Sequence, residues 1–133
     1  MRKLKVKHIS LKSLRKKAWK LQSEYIRRRE RGVCFTCGDT RDWKEQQAGH
    51  YIHKDCLDYH PINIHCQCVA CNKWRHGNSG IYAEKLIKLF GEEKVEKLRE
   101  LANKNRKFTA LELEELIEGY QEAIKDLIIS GEK

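Results

Sequence analysis

Two Cys-x-x-Cys pairs, Cys34-Phe-Thr-Cys37 and Cys68-Val-Ala-Cys71, stand 30 residues apart in a chain of 133. A zinc ion accepts four thiolates in a tetrahedron, and each such turn can set two sulfurs on one ion. Four thiolates leave no coordination position for water, so the expected zinc is structural and anchors the intervening loop. Two further cysteines complicate the choice. Cys66 lies two residues before Cys68, and strand alternation would put both on one face, so Cys66 competes for a place. The x-x spacing favours Cys68 with Cys71, which leaves Cys56 and Cys66 as free or buried thiols. A thioredoxin-like redox motif would need a βαβ pattern, and none accompanies these pairs.

Between and after the pairs lie His50, Asn63, Asn72 and His76. Phosphodiester hydrolysis needs an attacking water, a base to deprotonate it and a cation on the leaving oxygen. A neutral imidazole suits the base, because its pKa lies near working pH. His50, in Ala-Gly-His-Tyr-Ile, falls on an expected strand. Asn72 directly follows the last cysteine, and His76 comes four residues later. On a helix those two would share a face and offer an amide oxygen and an imidazole to one Mg²⁺ or Mn²⁺ ion. Asn63 would fix the loop that orients His50, or cap a turn. Lys73 and Arg75 would add charge at the scissile phosphate.

The cations that would grip such a substrate are concentrated at one end. The formal charge is +9, yet residues 1–31 hold 13 Lys/Arg against Glu24 and Glu30, a net of +11. A basic arm on a near-neutral body is the footprint of a phosphate-backbone binder. Arg15, Lys16, Lys17, Lys20, Arg27, Arg28 and Arg29 are the expected DNA contacts. Residues 109–133 carry seven acidic residues against two lysines and are not expected to touch DNA. Trp43 and Trp74 are candidates to stack on splayed bases, although packing suits Trp43 better; Trp19 is expected beside the apolar stripe of its helix.

The elements that must position these groups follow from periodicity. Residues 1–9 alternate charged and apolar. From Ser10 to about Arg31, Leu11, Leu14, Ala18, Leu21 and Tyr25 recur at helical steps, closed by Gly32. Residues 33–78 hold all six cysteines, five of six histidines and the only proline. A strand is expected near Gln47–Ile52, a loop at Lys54–Pro61, a short strand at Ile62–His65 and a helix from about Cys71. Beyond Ser79 three helices are expected: one through Ile81, Tyr82, Leu86, Leu89 and Phe90, a second over Glu92–Asn103, and a third after a capping box of Thr109 and Glu112. That last helix should bury Leu113, Leu116, Ile117, Tyr120, Ile124, Leu127 and Ile128.

These motifs resemble the HNH, or ββα-metal, nucleases, and within them the phage endonuclease VII type with two zinc knuckles. The narrower resemblance is to the phage lambda NinG (Rap) recombination-endonuclease family. It is carried by Cys34-x-x-Cys37-Gly38, Ala48-Gly49-His50-Tyr51, Asn63-Ile64-His65, Cys68-x-x-Cys71-Asn72 and Gly77-Asn78, and it continues through Tyr82, Leu86, Gly91, Val95 and Leu98. The resemblance implies structure-selective cutting of branched DNA, such as Holliday junctions and D-loops, by a phage-encoded protein in the cytoplasm of a bacterial host. It also implies that Asn72 is a metal ligand. One departure is Gly49, where related nucleases carry an Asp or His ligand before the catalytic histidine. His53, Asp55 and His65 are the substitutes this sequence offers, and His50 itself could bind the ion.

The expected architecture is α+β and mostly helical: a basic N-terminal arm and helix (1–31), a zinc-stabilised HNH-like core (32–78) and a helical C-terminal part (79–133). No apolar run reaches the roughly 18 residues of a membrane span, and no secretory h-region is expected. Two cuts at a junction suit a two-fold homodimer. The alternative is a zinc-stabilised DNA-binding module without catalysis.

Overall fold

The computed structural model describes residues 9–131, so most of the alternating N-terminal stretch, with His8, lies outside the described residues. The chain is α+β and mostly helical, in the order α1 (Leu11–Arg29), β1 (Gln47–His50), β2 (Ile64–Gln67), α2 (Ser79–Phe90), α3 (Glu92–Leu101) and α4 (Ala110–Ile129). The strands form one antiparallel pair with Ala48 opposite Cys66, Gly49 opposite His65 and His50 opposite Ile64.

Helix α1 starts where the Ser10 hydroxyl accepts the Ser13 amide at 3.1 Å, satisfying one of the free donors of the first turn. It ends in Arg27, Arg28 and Arg29, cations placed where the helix dipole favours them. Arg31 and Gly32 then take φ of +56° and +71°. Gly32 is required there, because a Cβ would lie 1.8 Å from the Arg41 carbonyl oxygen.

The buried stripe of α1 is Leu14, Ala18, Gln22 and Ile26, rotated from the expected one. Leu11 is exposed, and Leu21 and Tyr25 are half-buried. The rotation has a polar cause: buried Gln22 donates through Nε2 to the backbone oxygen of Asp58. Along this stripe Leu14 and Ala18 meet Leu113 and Ile117 of α4, while Ile26 meets Ile64 and Cys66 of β2. Each fully buried aliphatic side chain in these seams contributes about 1.5–3 kcal/mol.

The other side of the hairpin is covered by α2 and α3. Tyr82, Leu86 and Val95 form one cluster with Phe35, Tyr51 and Ile62 beside it; Leu57, Leu98 and Ala102 form another. The hairpin is thus held between α1 and the α2–α3 pair. Helix α4 carries the expected capping box: Thr109 Oγ1 accepts the Glu112 amide at 3.1 Å, and Glu112 Oε1 accepts the Thr109 amide at 2.9 Å.

Three expectations are corrected. The second strand begins at Ile64, because residues 61–63 form a turn closed by Asn63 N–H donating to His60 O at 3.0 Å. The helix expected from Cys71 is a single π-turn, Ala70–Trp74. Leu89 (65% exposed) and Ile128 (51% exposed) face outward instead of joining the core. As the spacing favours, Cys66 stands apart from the four knuckle cysteines, on β2 against Ile26 and Ile64.

Candidate active site and metal centre

Cys34, Cys37, Cys68 and Cys71 bring their sulfurs within 4.8 Å of one another. The Cys37 and Cys68 sulfurs are 3.7 Å apart, close to the roughly 3.8 Å edge of a tetrahedron with metal–sulfur bonds of about 2.3 Å. Donors surround the cluster. The amides of Asp39 and Cys71 reach Cys37 and Cys68 sulfurs at 3.4 Å, and Arg75 Nη1 and Asn78 Nδ2 reach Cys71 Sγ at 3.4 and 3.6 Å. Although burial opposes ionisation, hydrogen bonds from Thr36 and nearby amides bring the Cys34 thiol down to about 6. Burial, joined by the neighbouring sulfurs, pushes Cys37 up to about 12. All four sulfurs could ionise together only beside a compensating cation, and this donor set could hold a metal such as zinc. Cys66 stays outside, its thiol pushed up to about 12 by burial. Cys56 donates weakly to the carbonyls of Leu101 and Ala102.

At the far end of β1, His50 is half-buried and stacked on Trp19 of α1, ring centroids 4.9 Å apart and planes within 2°. Its Nε2 lies 2.9 Å from Asp58 Oδ1. Trp19 and Gln22, three residues apart on α1, thus hold the imidazole and the backbone of its carboxylate partner respectively. The backbone around His50 is braced from below. Tyr82 Oη donates to Gly49 O at 2.7 Å. Buried Asn63 accepts the Ile52 amide at 2.8 Å and donates to the carbonyls of Ile52 and Leu57 at 3.0 and 3.2 Å. His53 sits beside His50, centroids 5.2 Å apart; partial burial, then the neighbouring imidazole, lowers its pKa below the ordinary value.

Asn72 and His50 are not brought face to face. Gln47 and Gly49 share one face of β1, and Ala48 and His50 the other. Asn72 Nδ2 donates to Gln47 Oε1 at 2.7 Å. A Cβ on Gly49 would lie 2.8 Å from Asn72 Oδ1 and 1.9 Å from Gln67 Oε1. So the amides of Asn72 and Gln67 fill the space of the missing side chain, on the face opposite His50. His76 is exposed, with φ of +50°, beyond the end of the π-turn. The helical face that would align it with Asn72 is not formed. Among the described residues, the four cysteines are the only group of three or more His, Cys, Asp or Glu donors gathered this closely.

His65 has a structural setting. It is buried, stacked on Phe35 at 4.1 Å, and its Nδ1 donates to Glu30 Oε2 at 2.6 Å. Burial raises the Glu30 pKa, but bonds from His65, Arg29 and the Cys66 amide outweigh it and hold the carboxyl below its usual range. Asp55 lies on the loop beside Asp58, in the same cleft wall.

The basic residues divide by setting. Arg15, Lys16, Lys17 and Lys20 are exposed on α1, and Lys73 and Arg75 are exposed on the knuckle. Arg27 donates to the carbonyls of Trp43 and Gln46 at 3.3 and 3.5 Å, and the guanidinium groups of Arg27 and Arg28 lie 5.0 and 4.5 Å from the Trp43 ring centroid. Arg28 pairs with Glu24 and Arg29 with Glu30. Arg27 and Arg28 thus brace the end of α1 against the segment at Trp43 and Gln46, and Arg29 lies over the Tyr25 ring. Trp43 packs beneath Arg27 and Arg28, whereas Trp74 is 76% exposed. Asp58 and Gln22 were missed at the sequence level; the sole available signal was Asp58 standing eight residues after His50 in a polar loop.

Comparison with known families matches residues 1–129 to the family described as Bacteriophage Lambda NinG protein. The chain is 34% identical over 132 residues to protein ninG of Escherichia phage lambda, covering 94% of this chain and 64% of that protein. It is 33% identical over 132 residues to protein ninG of Salmonella phage P22, with coverage of 94% and 64%. Against the protein of Enterobacteria phage H19B the identity is 30% over 130 residues, with coverage of 93% and 64%. The chain therefore spans a little under two thirds of the length of these curated relatives. No solved structure matches it. No helix among the described residues is long and apolar enough to cross a membrane.

Proposed function

The chain belongs to the bacteriophage lambda NinG family, and on that premise we propose that it is a metal-dependent endonuclease acting on branched DNA in phage recombination. In this reading a zinc ion held by Cys34, Cys37, Cys68 and Cys71 closes an HNH-like core and fixes the hairpin that carries His50. The observation that carries the reading is the His50–Asp58 contact of 2.9 Å, opening onto a cleft beside the exposed cations of α1.

Its chemistry follows from the imidazole. A neutral His50 that donates Nε2–H to Asp58 keeps its Nδ1 lone pair for the proton of an attacking water. Asp58 fixes the ring and stabilises the imidazolium that forms, and Trp19 holds its plane. Asn63 keeps the loop after β1 in register. On this side of the strand the Asp58 carboxylate and His53 would be the donors for Mg²⁺ or Mn²⁺, in place of Asn72 with His76. When bound, such an ion would neutralise charge at the departing 3′ oxygen. Arg15, Lys16, Lys17 and Lys20 supply backbone contacts, and a homodimer would make the two cuts that resolve a four-way junction.

The test is cleavage of a synthetic four-way junction with Mg²⁺ or Mn²⁺ by wild type and His50→Ala. Loss of cutting with binding retained supports the reading; equal cutting by both overturns it. The second reading, a DNA-binding module without catalysis, is favoured by one observation: Asn72 and Gln67 occupy the side of Gly49 where a further metal ligand would stand. It requires zinc-loaded wild type to bind junctions and never cut them.

A further inference from the structure

Between α1 and the segment joining α3 to α4 lies a cleft of about 430 Å³. Arg15 of α1, Lys54 of the loop after β1, and Arg106 and Lys107 of the joining segment line it, facing the carboxylates of Asp55 and Asp58. His53 is also in the wall, so the cleft begins where the His50–Asp58 pair ends. The cations therefore come from three separate parts of the chain and meet over the candidate site.

The walls are held in place. Phe108 packs edge-on against Tyr59, centroids 5.2 Å apart, and Tyr59 Oη donates to the Arg15 carbonyl at 3.2 Å. Lys54 Nζ reaches Asn105 Oδ1 at 3.4 Å. Arg106 is oriented by Glu112 and lies 4.3 Å from the Phe108 ring centroid. Among the described residues, no carboxylate comes within ion-pair distance of Arg15, Lys54 or Lys107. Cations on opposite walls with no ion-pair partner favour an anion between them. Exposed charge extends beyond the cleft on α1 at Lys16, Lys17 and Lys20, so the fitting anion is longer than the cleft and charged at intervals.

We infer that the α3–α4 joining segment is a second DNA-contacting wall, and that one strand of the DNA lies between Arg15 and Lys107 with its phosphates toward both. This inference rests on the nuclease reading for its ligand, and it adds contacts from the segment just before the acidic helix α4. A strand seated there passes His53 and Asp58, which brings a phosphodiester to His50.

The experiment measures binding of the full chain to a synthetic four-way DNA junction over a salt series, for wild type, Arg15→Gln, Lys107→Gln and Lys97→Gln. Lys97 is exposed on α3, outside the cleft. All three substituted positions are on the surface, and thermal melts establish that the variants fold. The expected result is that Arg15→Gln and Lys107→Gln each reduce the slope of log affinity against log salt by about 1, while Lys97→Gln leaves it unchanged. Wild-type binding with an unaltered slope in Lys107→Gln overturns the second wall and leaves the nuclease reading standing. A wild type that binds no junction DNA overturns both.

Discussion

The Nε2 of His50 and the Oδ1 of Asp58 stand 2.9 Å apart although one residue ends a strand and the other sits in the loop that follows. Helix α1 makes the pairing definite. Trp19 lies flat on the imidazole, and Gln22, one turn on, bonds the Asp58 backbone. The contact is therefore set by a third element. If Asp58 orients the base, Asp58→Asn should lower the cleavage rate about 10²–10⁴-fold, the range ordinarily supplied by a general base. Junction affinity should hold or rise, since a negative charge leaves the cleft. Single-turnover rates beside binding isotherms check this, and an unchanged rate would remove Asp58 from the account.

Zinc removal should unfold the middle of the chain. Apparent binding energies for structural zinc are about 10–16 kcal/mol, as large as a domain's whole stability of about 5–15 kcal/mol. Cys71→Ser is expected to lose the metal and the cooperative melt. Cys66→Ala is expected to keep one zinc per chain, because Cys66 packs against Ile26 and Ile64. Metal analysis with circular dichroism separates the two, and loss of zinc from Cys66→Ala would contradict the assignment.

Glu30 gives a pH signature. Its carboxyl is held below the usual range in the folded protein, so its contribution is present above the unfolded-state pKa of about 4.3 and is lost as pH falls through the lower folded value. Glu30→Gln should cost about 2 kcal/mol near neutral pH and flatten the acid side of the stability profile. Urea melts from pH 3 to 7 test this; a parallel profile for the variant would show that Glu30 is not responsible.

Gly49→Ala should destabilise by about 1–3 kcal/mol through overpacking, since the new Cβ would fall 1.9 Å from Gln67 Oε1. Adding Gln67→Ala should recover part of that loss, a coupling expected only of residues in contact. Additive costs in a double-mutant cycle would contradict the close approach.

The parts legible in the sequence are those whose cause is local. Cys-x-x-Cys spacing brings two sulfurs together within a single turn, and Thr109 with Glu112 closes its own capping box. Gly91, with φ of +93°, separates α2 from α3 as its residue type suggests. The remaining features depend on distant partners. The turn of α1 toward Gln22 is set by a backbone oxygen 36 residues away. Asp58 acquires meaning only once Trp19 and His50 are stacked. The expected facing of His50 and Asn72 failed because strand alternation sends neighbouring residues to opposite faces, and Gly49 leaves its face open to the amides of Asn72 and Gln67.

The most direct test of the central claim compares wild type with His50→Ala and His50→Gln on a labelled four-way junction in Mg²⁺, after confirming one zinc per chain for each. The account predicts discrete cuts by wild type, a loss of about 10²-fold or more in both variants, and junction binding unchanged in all three. Cutting by either variant at the wild-type rate would contradict it.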